Sequence, residues 1–161
     1  MAKHGVKTNV LRLLELANVD YTPCEYDVAD GLIDARSIAA KIGLPFEQCF
    51  KTLVTINPQK EHFVFVVPAT SELDLKKAAR ISGSKSIEMI PLKELLPTTG
   101  YIHGGCSPVG MKKAFPTFIE ESAQLFDEIS VSGGKVGLVV RLNPEKLAAM
   151  IGAQFADVVV L

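Results

Sequence analysis

The amino-acid sequence predicts an α+β fold with a largely antiparallel or mixed sheet. Strand-like runs come mostly in hairpins, and helix-like runs do not alternate with them regularly enough for a doubly wound parallel sheet. The longest apolar runs are far too short to span a bilayer. At 161 residues the chain fits one domain covering 1–161, with enough length to bury roughly two-thirds of its unfolded surface.

The elements follow in order. Thr8 can cap a helix whose Val10, Leu13, Leu14 and Ala17 fall on one stripe, with Asn18 as its stop. Residues 19–26 read as a strand, and Pro23 suits it to an edge. Asp34 caps a second helix carrying Ile38, Ala39 and Ile42, which Gly43 ends. Residues 50–56 and 62–67 are rich in β-branched and aromatic side chains and flank a hairpin loop at 57–61; their near-continuous apolarity predicts central strands. A third helix runs from Asp74 to Gly83, a strand covers 86–89, and Pro91 opens a short helix that stops before Pro97. Strands follow at 117–120 and 129–132, with a turn or short helix between. Ser132-Gly-Gly-Lys135 then makes a tight connection into a strand at 137–142. Asn143-Pro144 caps the last helix, which ends at Gly152, and 155–161 close the chain as a strand.

Composition excludes several function classes. The hydrophobic fraction of 48% and charged fraction of 22% are those of an ordinary globular protein. Met1 to His4 lack the basic start and apolar core of a secretory leader, so the expected address is the cytoplasm. Cys24, Cys49 and Cys106 are odd in number, lack CxxC spacing and do not combine with His4, His62 and His103 into a metal-ligand pattern; neither a disulfide framework nor a metal is expected. With a net charge of −1, contact with phosphates has to come from a local basic face, and Lys76, Lys77, Arg80, Lys85, Lys112, Lys113, Lys135 and Arg141 are either such a face or ordinary solvated charge.

Special backbone concentrates in residues 100–113, which hold four glycines, a proline and a lysine pair. Such a stretch is either a binding loop, whose successive N–H groups converge on a carbonyl or phosphate oxygen, or a tight structural connection. Its Gly105 to Gly110 spacing resembles a nucleotide-binding P-loop, but Met111 stands where the lysine must follow and no Ser or Thr follows Lys112. Cys106 is either a nucleophile, with His103 the one histidine near it in sequence, or a small buried hydrophobe, and Ser107 lacks a G-x-S-x-G elbow. Lys51 lies beside Leu53 in a predicted central strand. It either reaches water at the strand end or lines a pocket that receives a negative or electron-rich group.

Phe50-Lys-Thr-Leu53, Thr99-Gly-Tyr101, Gly104-Gly-Cys-Ser-Pro-Val-Gly-Met-Lys-Lys113 and Val131-Ser-Gly-Gly-Lys135 stand in the order and at the spacing of the YbaK/EbsC family. Asp74-Leu-Lys-Lys77 and Phe155-Ala-Asp157 extend the likeness over nearly the whole chain. The chain resembles that family, with its Cys-tRNA(Pro) deacylase branch nearest. The resemblance implies the fold of the prolyl-tRNA synthetase editing domain, a mixed sheet curling toward a barrel with surrounding helices. It also implies a free-standing enzyme that cleaves a wrong amino acid from tRNA(Pro), a task that exists because binding alone rejects small amino acids too weakly.

By resemblance Lys51 is the essential lysine, and Gly104, Gly105 and the rest of the GxxxP loop through Pro108 complete the catalytic site. Tyr26, Cys106, Ser107, Pro108, Gly110, Ser132, Gly133 and Gly134 are then expected at the substrate, and Lys112, Lys113 and Lys135 on the tRNA. The implied partners are misacylated tRNA(Pro) and prolyl-tRNA synthetase, with no cofactor, metal, membrane or DNA. In the cysteine-specific branch the substrate's own thiol attacks its ester, which suits a chain without a catalytic triad. Val136 and Val139 depart from the family's arginine and its acidic or small polar residue, and Cys106 stands where an aliphatic residue is common. The alternatives are the same fold acting on Ala-, Ser- or Thr-tRNA, and a non-catalytic module that binds tRNA or a partner.

Overall fold

The computed structural model describes residues 7–161; the chain start and His4, on which the leader and metal readings drew, lie outside the described residues. Helix α1 (Asn9–Leu16) begins where Thr8 Oγ1 accepts the Leu11 N–H at 3.4 Å. Its buried stripe is Val10, Leu11 and Leu14; Ala17 falls beyond the helix end and is exposed. Asn18 turns the chain with φ 58°, a conformation asparagine tolerates better than most residues. β1 (Tyr21–Glu25) is an edge strand, which accommodates Pro23. Helix α2 (Ala35–Ile42) lies between the Asp34 cap and left-handed Gly43.

β2 (Phe50–Ile56) and β3 (His62–Pro68) form the hairpin, in register from Phe50 opposite Pro68 to Ile56 opposite His62. Helix α3 (Leu75–Ser82) and the two-residue β4 (Glu88–Met89) follow. The next helix differs from its expected bounds. A 3₁₀ turn over Leu92–Glu94 leads into α4 (Leu95–Thr99), which contains Pro97. A proline in the first helical turn removes an N–H that has no intrahelical acceptor there, so the helix passes through it.

The remaining elements are β5 (Thr117–Glu120), β6 (Ile129–Lys135), β7 (Leu138–Leu142), α5 (Pro144–Ile151) and β8 (Gln154–Ala156). Two further expectations are corrected here. Ser132 to Lys135 is the end of β6, carrying an irregularity in its pairing with β7, and the turn is displaced to Val136 and Gly137. At the C-terminus the ladder stops at Ala156; beyond it Val158 is buried in the core under α3, a bridge pairs Val159 with Leu73, Val158 C=O accepts the Asp74 N–H at 2.8 Å and the Val160 N–H donates to Glu72 C=O at 2.9 Å.

The strands make two sheets, β1-β7-β6 and β4-β2-β3-β5-β8. All neighbours are antiparallel except β3–β5 and β5–β8, which are parallel. A parallel bridge between Cys49 and Ser130 joins the sheets, so they curl toward a barrel without closing into one. The larger core packs α1 and α5 against inward residues of both sheets, among them Phe50, Val66, Ile119, Val131 and Val140. A second core sits under α3 around Phe63, Phe65 and Phe118. β3 is central, as its apolarity predicts, and Val64 to Val67 are fully buried. β2 is central only at its two ends. On its outer side it meets β6 near Cys49 and β4 at Thr55 and Ile56, and between those points no strand of the described residues covers it. Among the described residues no helix is long and apolar enough to cross a membrane.

Candidate active site

The uncovered stretch of β2 opens onto a cavity of about 460 Å³. Every residue from Cys49 to Val54 lines it. Successive strand side chains point to opposite faces, so a cavity over one face would meet alternate residues only; contact with all of them requires a cavity at the strand's edge. Val54 C=O accepts the Ile90 N–H at 3.2 Å and thereby points outward. By the two-residue repeat, the Thr52 amide and carbonyl also face the gap.

Lys51 is half-buried on this edge, and among the described residues its ammonium has no hydrogen-bond or carboxylate partner. Thr52 Oγ1 is buried and likewise without a partner. An unpaired polar atom on a cavity wall is costly unless water or a ligand meets it. The other walls come from separate parts of the chain. Ile33, Asp34, Ala35 and Ile38 enter from the start of α2; Met89, Ile90, Leu92 and Leu95 from the β4–α4 segment; Tyr26, Ser130, Ser132 and Val139 from the smaller sheet. His103, Gly104 and Cys106 close the site from the glycine-rich loop.

The loop is held from behind. Thr99 Oγ1 donates to Leu95 C=O at 2.7 Å and accepts the Tyr101 N–H at 3.0 Å, and the Tyr101 hydroxyl donates to Val109 C=O. Gly105 is buried, and its N–H donates to Ile102 C=O at 3.0 Å. A Cβ built on Gly105 would lie 3.0 Å from Lys135 Cα and 3.1 Å from Val136 N, so the loop backbone rests directly on the β6–β7 corner. The corner requires a glycine too: a Cβ on Gly133 would come within 2.6 Å of Leu138 Cγ. Thr8 Oγ1 ties α1 to this corner by donating to Gly133 C=O at 2.6 Å. Among the described residues the N–H groups of the three loop residues that line the cavity, His103, Gly104 and Cys106, have no protein acceptor, so Gly104 and Cys106, unlike Gly105, are available donors.

The structure thus brings Lys51, Tyr26, Gly104, Cys106 and Ser132 to one cavity and leaves the other predicted residues off its lining. Ser107 and Pro108 are buried, and Ser107 Oγ accepts the Val109 N–H at 3.2 Å. Gly110 lies against Leu13 and Tyr101, and Gly134 against Val10. Lys112, Lys113 and Lys135 stand outside; Lys112 Nζ donates to Pro97 C=O at 3.3 Å. Asp34, Thr52, His103 and Ser130 line the cavity without having been singled out for it. Asp34 was legible only as a helix cap, and Thr52 only as the residue that follows Lys51 in the Phe50-Lys-Thr-Leu53 run.

Burial pushes the Cys106 thiol up to about 11, with a smaller opposing effect from the Thr99 hydroxyl. A thiol in that range is protonated near neutral pH and a poor nucleophile. Cys106→Ala removes no ionised group and is therefore expected to keep whatever turnover this cavity supports within about twofold of wild type; complete inactivation in a single-turnover assay would give the thiol a covalent role. The carboxylates of Glu120, Glu121 and Asp157 lie within 4.8 Å of one another but outside the cavity, and Glu120 accepts the Val158 N–H at 3.3 Å.

Comparison with known proteins places this geometry. Residues 31–150 match the family described as the aminoacyl-tRNA editing domain. Over 152 residues the chain is 45% identical to a protein of Enterococcus faecalis named as a candidate Cys-tRNA(Pro)/Cys-tRNA(Cys) deacylase, EbsC; the match covers 94% of this chain and 93% of that protein. A solved structure described as a candidate trans-editing enzyme for prolyl-tRNA synthetase superposes with a TM-score of 0.82 at 26% identity, covering 96% of this chain and 99% of the other. A hypothetical protein of known structure, 18% identical, shares the fold with a TM-score of 0.87 over 95% of this chain and all of its own.

Proposed function

The chain belongs to the aminoacyl-tRNA editing domain family, and from that premise we propose that it is a trans-editing deacylase, working as one unit over 1–161 on misacylated tRNA(Pro), with Cys-tRNA(Pro) as its substrate. The observation that carries this reading is the meeting, in one cavity, of an ammonium on a strand edge and amides on a clamped loop, none of them with a partner among the described residues. Lys51 is suited to hold the phosphate, ribose or ester end of the terminal nucleotide. The Gly104 and Cys106 amides are suited to the oxygen that gains charge when the ester carbonyl is attacked. Gly105, Ser107, Pro108, Gly110, Gly133 and Gly134 act behind the wall by fixing the loop and its corner. Lys112, Lys113 and Lys135 lie outside it and are proposed to contact the tRNA.

A protein nucleophile is not needed for a cysteinyl ester. The substrate thiol loses its proton and attacks its own carbonyl carbon; the carbonyl–ribose oxygen bond breaks, a thiolactone leaves, and the ribose oxygen takes up a proton. The protein's task is then to fold the cysteinyl group into that geometry and to stabilise the oxyanion. The setting is the cytoplasm, where charged tRNA is used, with prolyl-tRNA synthetase as the source of the error and the proposed partner.

Val139, an apolar wall residue only 8% exposed, favours a second reading in which alanine is the edited residue and water attacks. Release of ester-linked amino acid from tRNA(Pro) charged with cysteine, alanine or proline distinguishes the two. Cysteine is expected to be released fastest and proline spared. Tight tRNA binding with no release above the buffer rate would replace the enzyme by a binding module.

A further inference from the structure

The cavity contains one positively and one negatively charged side chain. Lys51 stands on the β2 edge, and Asp34 lines the cavity from the start of α2. An aminoacyl ester carries an α-ammonium near neutral pH; Thr52, Ser130, Ser132 and Tyr26 offer it only uncharged acceptors, and the rest of the lining apart from Asp34 offers it less. Lys51 repels it, the loop presents N–H donors, and Ile38, Val54, Leu95 and Val139 are apolar.

Asp34, an exposed residue on the cavity lining, is the one anionic side chain there among the described residues and is free to receive such a group. Its Oδ1 accepts the Ser37 hydroxyl at 2.6 Å and its Oδ2 the Ser37 N–H at 3.1 Å, which fixes the carboxylate and leaves a second acceptor position on each oxygen. Those same hydrogen bonds, the Ser37 hydroxyl first, hold its carboxyl below the usual range, so it is ionised. The two cations of α2 are engaged elsewhere. Lys41 pairs with Asp30 at 2.9 Å, and the Arg36 guanidinium lies 4.5 Å from the Phe46 ring centroid. Among the described residues no cation pairs with Asp34.

We propose that Asp34 binds the α-ammonium of the esterified amino acid, so that the site accepts free-amine aminoacyl esters and discriminates against N-acylated ones such as peptidyl esters. The inference rests on the deacylase reading and gives it a feature that reading does not contain. Asp34 is a binding residue: it orients the amino acid from the wall made by the start of α2, while Lys51 holds the other end of the ester.

The test compares cysteinyl-tRNA(Pro) with its desamino analogue, 3-mercaptopropionyl-tRNA(Pro), which keeps the thiol and lacks only the amine. Wild type is expected to favour the cysteinyl ester by about tenfold or more in kcat/KM, the scale of a hydrogen bond to a charged group. Asp34→Asn and Asp34→Ser keep a good helix cap while removing the charge. Both are expected to lose that preference, mainly through KM, with thermal midpoints close to wild type. Equal losses on the two esters, or no loss on either, would overturn the proposal. Release of neither ester by wild type would remove the deacylase reading itself, an outcome visible without any variant.

Discussion

Lys51→Ala is expected to lower single-turnover deacylation of Cys-tRNA(Pro) by on the order of 100-fold, the loss typical when one preorganised electrostatic group is removed from a reacting centre. Its stability should change by less than about 1 kcal/mol, because the side chain is half-buried and pairs with no described carboxylate. The β2–β3 ladder is main-chain bonding and remains. Chemical denaturation run beside the kinetic assay separates the two effects. Turnover near wild type in a folded variant would sink the assignment of this strand edge as the site. Lys51→Arg is an instructive companion: a planar guanidinium keeps the charge and changes the geometry, so only partial recovery is expected.

Gly105→Ala should act through shape alone. Gly105 does not have a positive φ, so alanine meets no conformational penalty of its own; the new methyl meets the backbone of Lys135 and Val136 at 3.0 to 3.1 Å. Backbone cannot rotate away as a side chain can, so the loop must lift from the corner. Overpacking of this kind costs about 1–3 kcal/mol, and contacts at 3.0 to 3.1 Å ask for a shift of tenths of an ångström, short of the 1 Å misplacement worth on the order of 100-fold in rate. The expected outcome is a lowered melting midpoint together with a loss of turnover of about tenfold, smaller than that of Lys51→Ala. A variant with wild-type rate and midpoint would show that the Gly104 and Cys106 amides need no such support.

Much of this architecture is legible in the residues because local rules and tertiary packing agree. Thr8, Asp34, Asp74 and Asn143 each cap the helix that follows them. The β2–β3 hairpin has turn residues between two apolar runs, and the structure joins it there. Where two structures share one signal, the reading diverges. Gly133 and Gly134 mark special backbone, but tight turns and strand irregularities both demand glycine, and tertiary contact with Leu138 and Val10 decides for the irregularity. Pro97 reads as a stop, although its place in a first turn makes it harmless.

The site shows the same limit. Lys51 and the glycine loop stand out in the sequence, yet the open edge that joins them does not. Alternation assigns side chains to faces and is silent about which strand lies beside which, so Lys51 and Thr52 fall on opposite faces although both line the cavity. Asp34 is concealed differently, since a capping aspartate already has a sufficient local reason to be there.

The uncovered edge of β2 also divides the molecule by tolerance to change. Lys51 sits on a strand whose partner, β3, is fixed in the cores, whereas the opposite walls come from Ile33, Met89 and Leu92, all more than two-fifths exposed. Replacements at those three positions disturb little packing and cost little stability, yet each reshapes the space beside the lysine. Substrate range can therefore drift through a succession of nearly neutral steps while the reacting centre stays where it is.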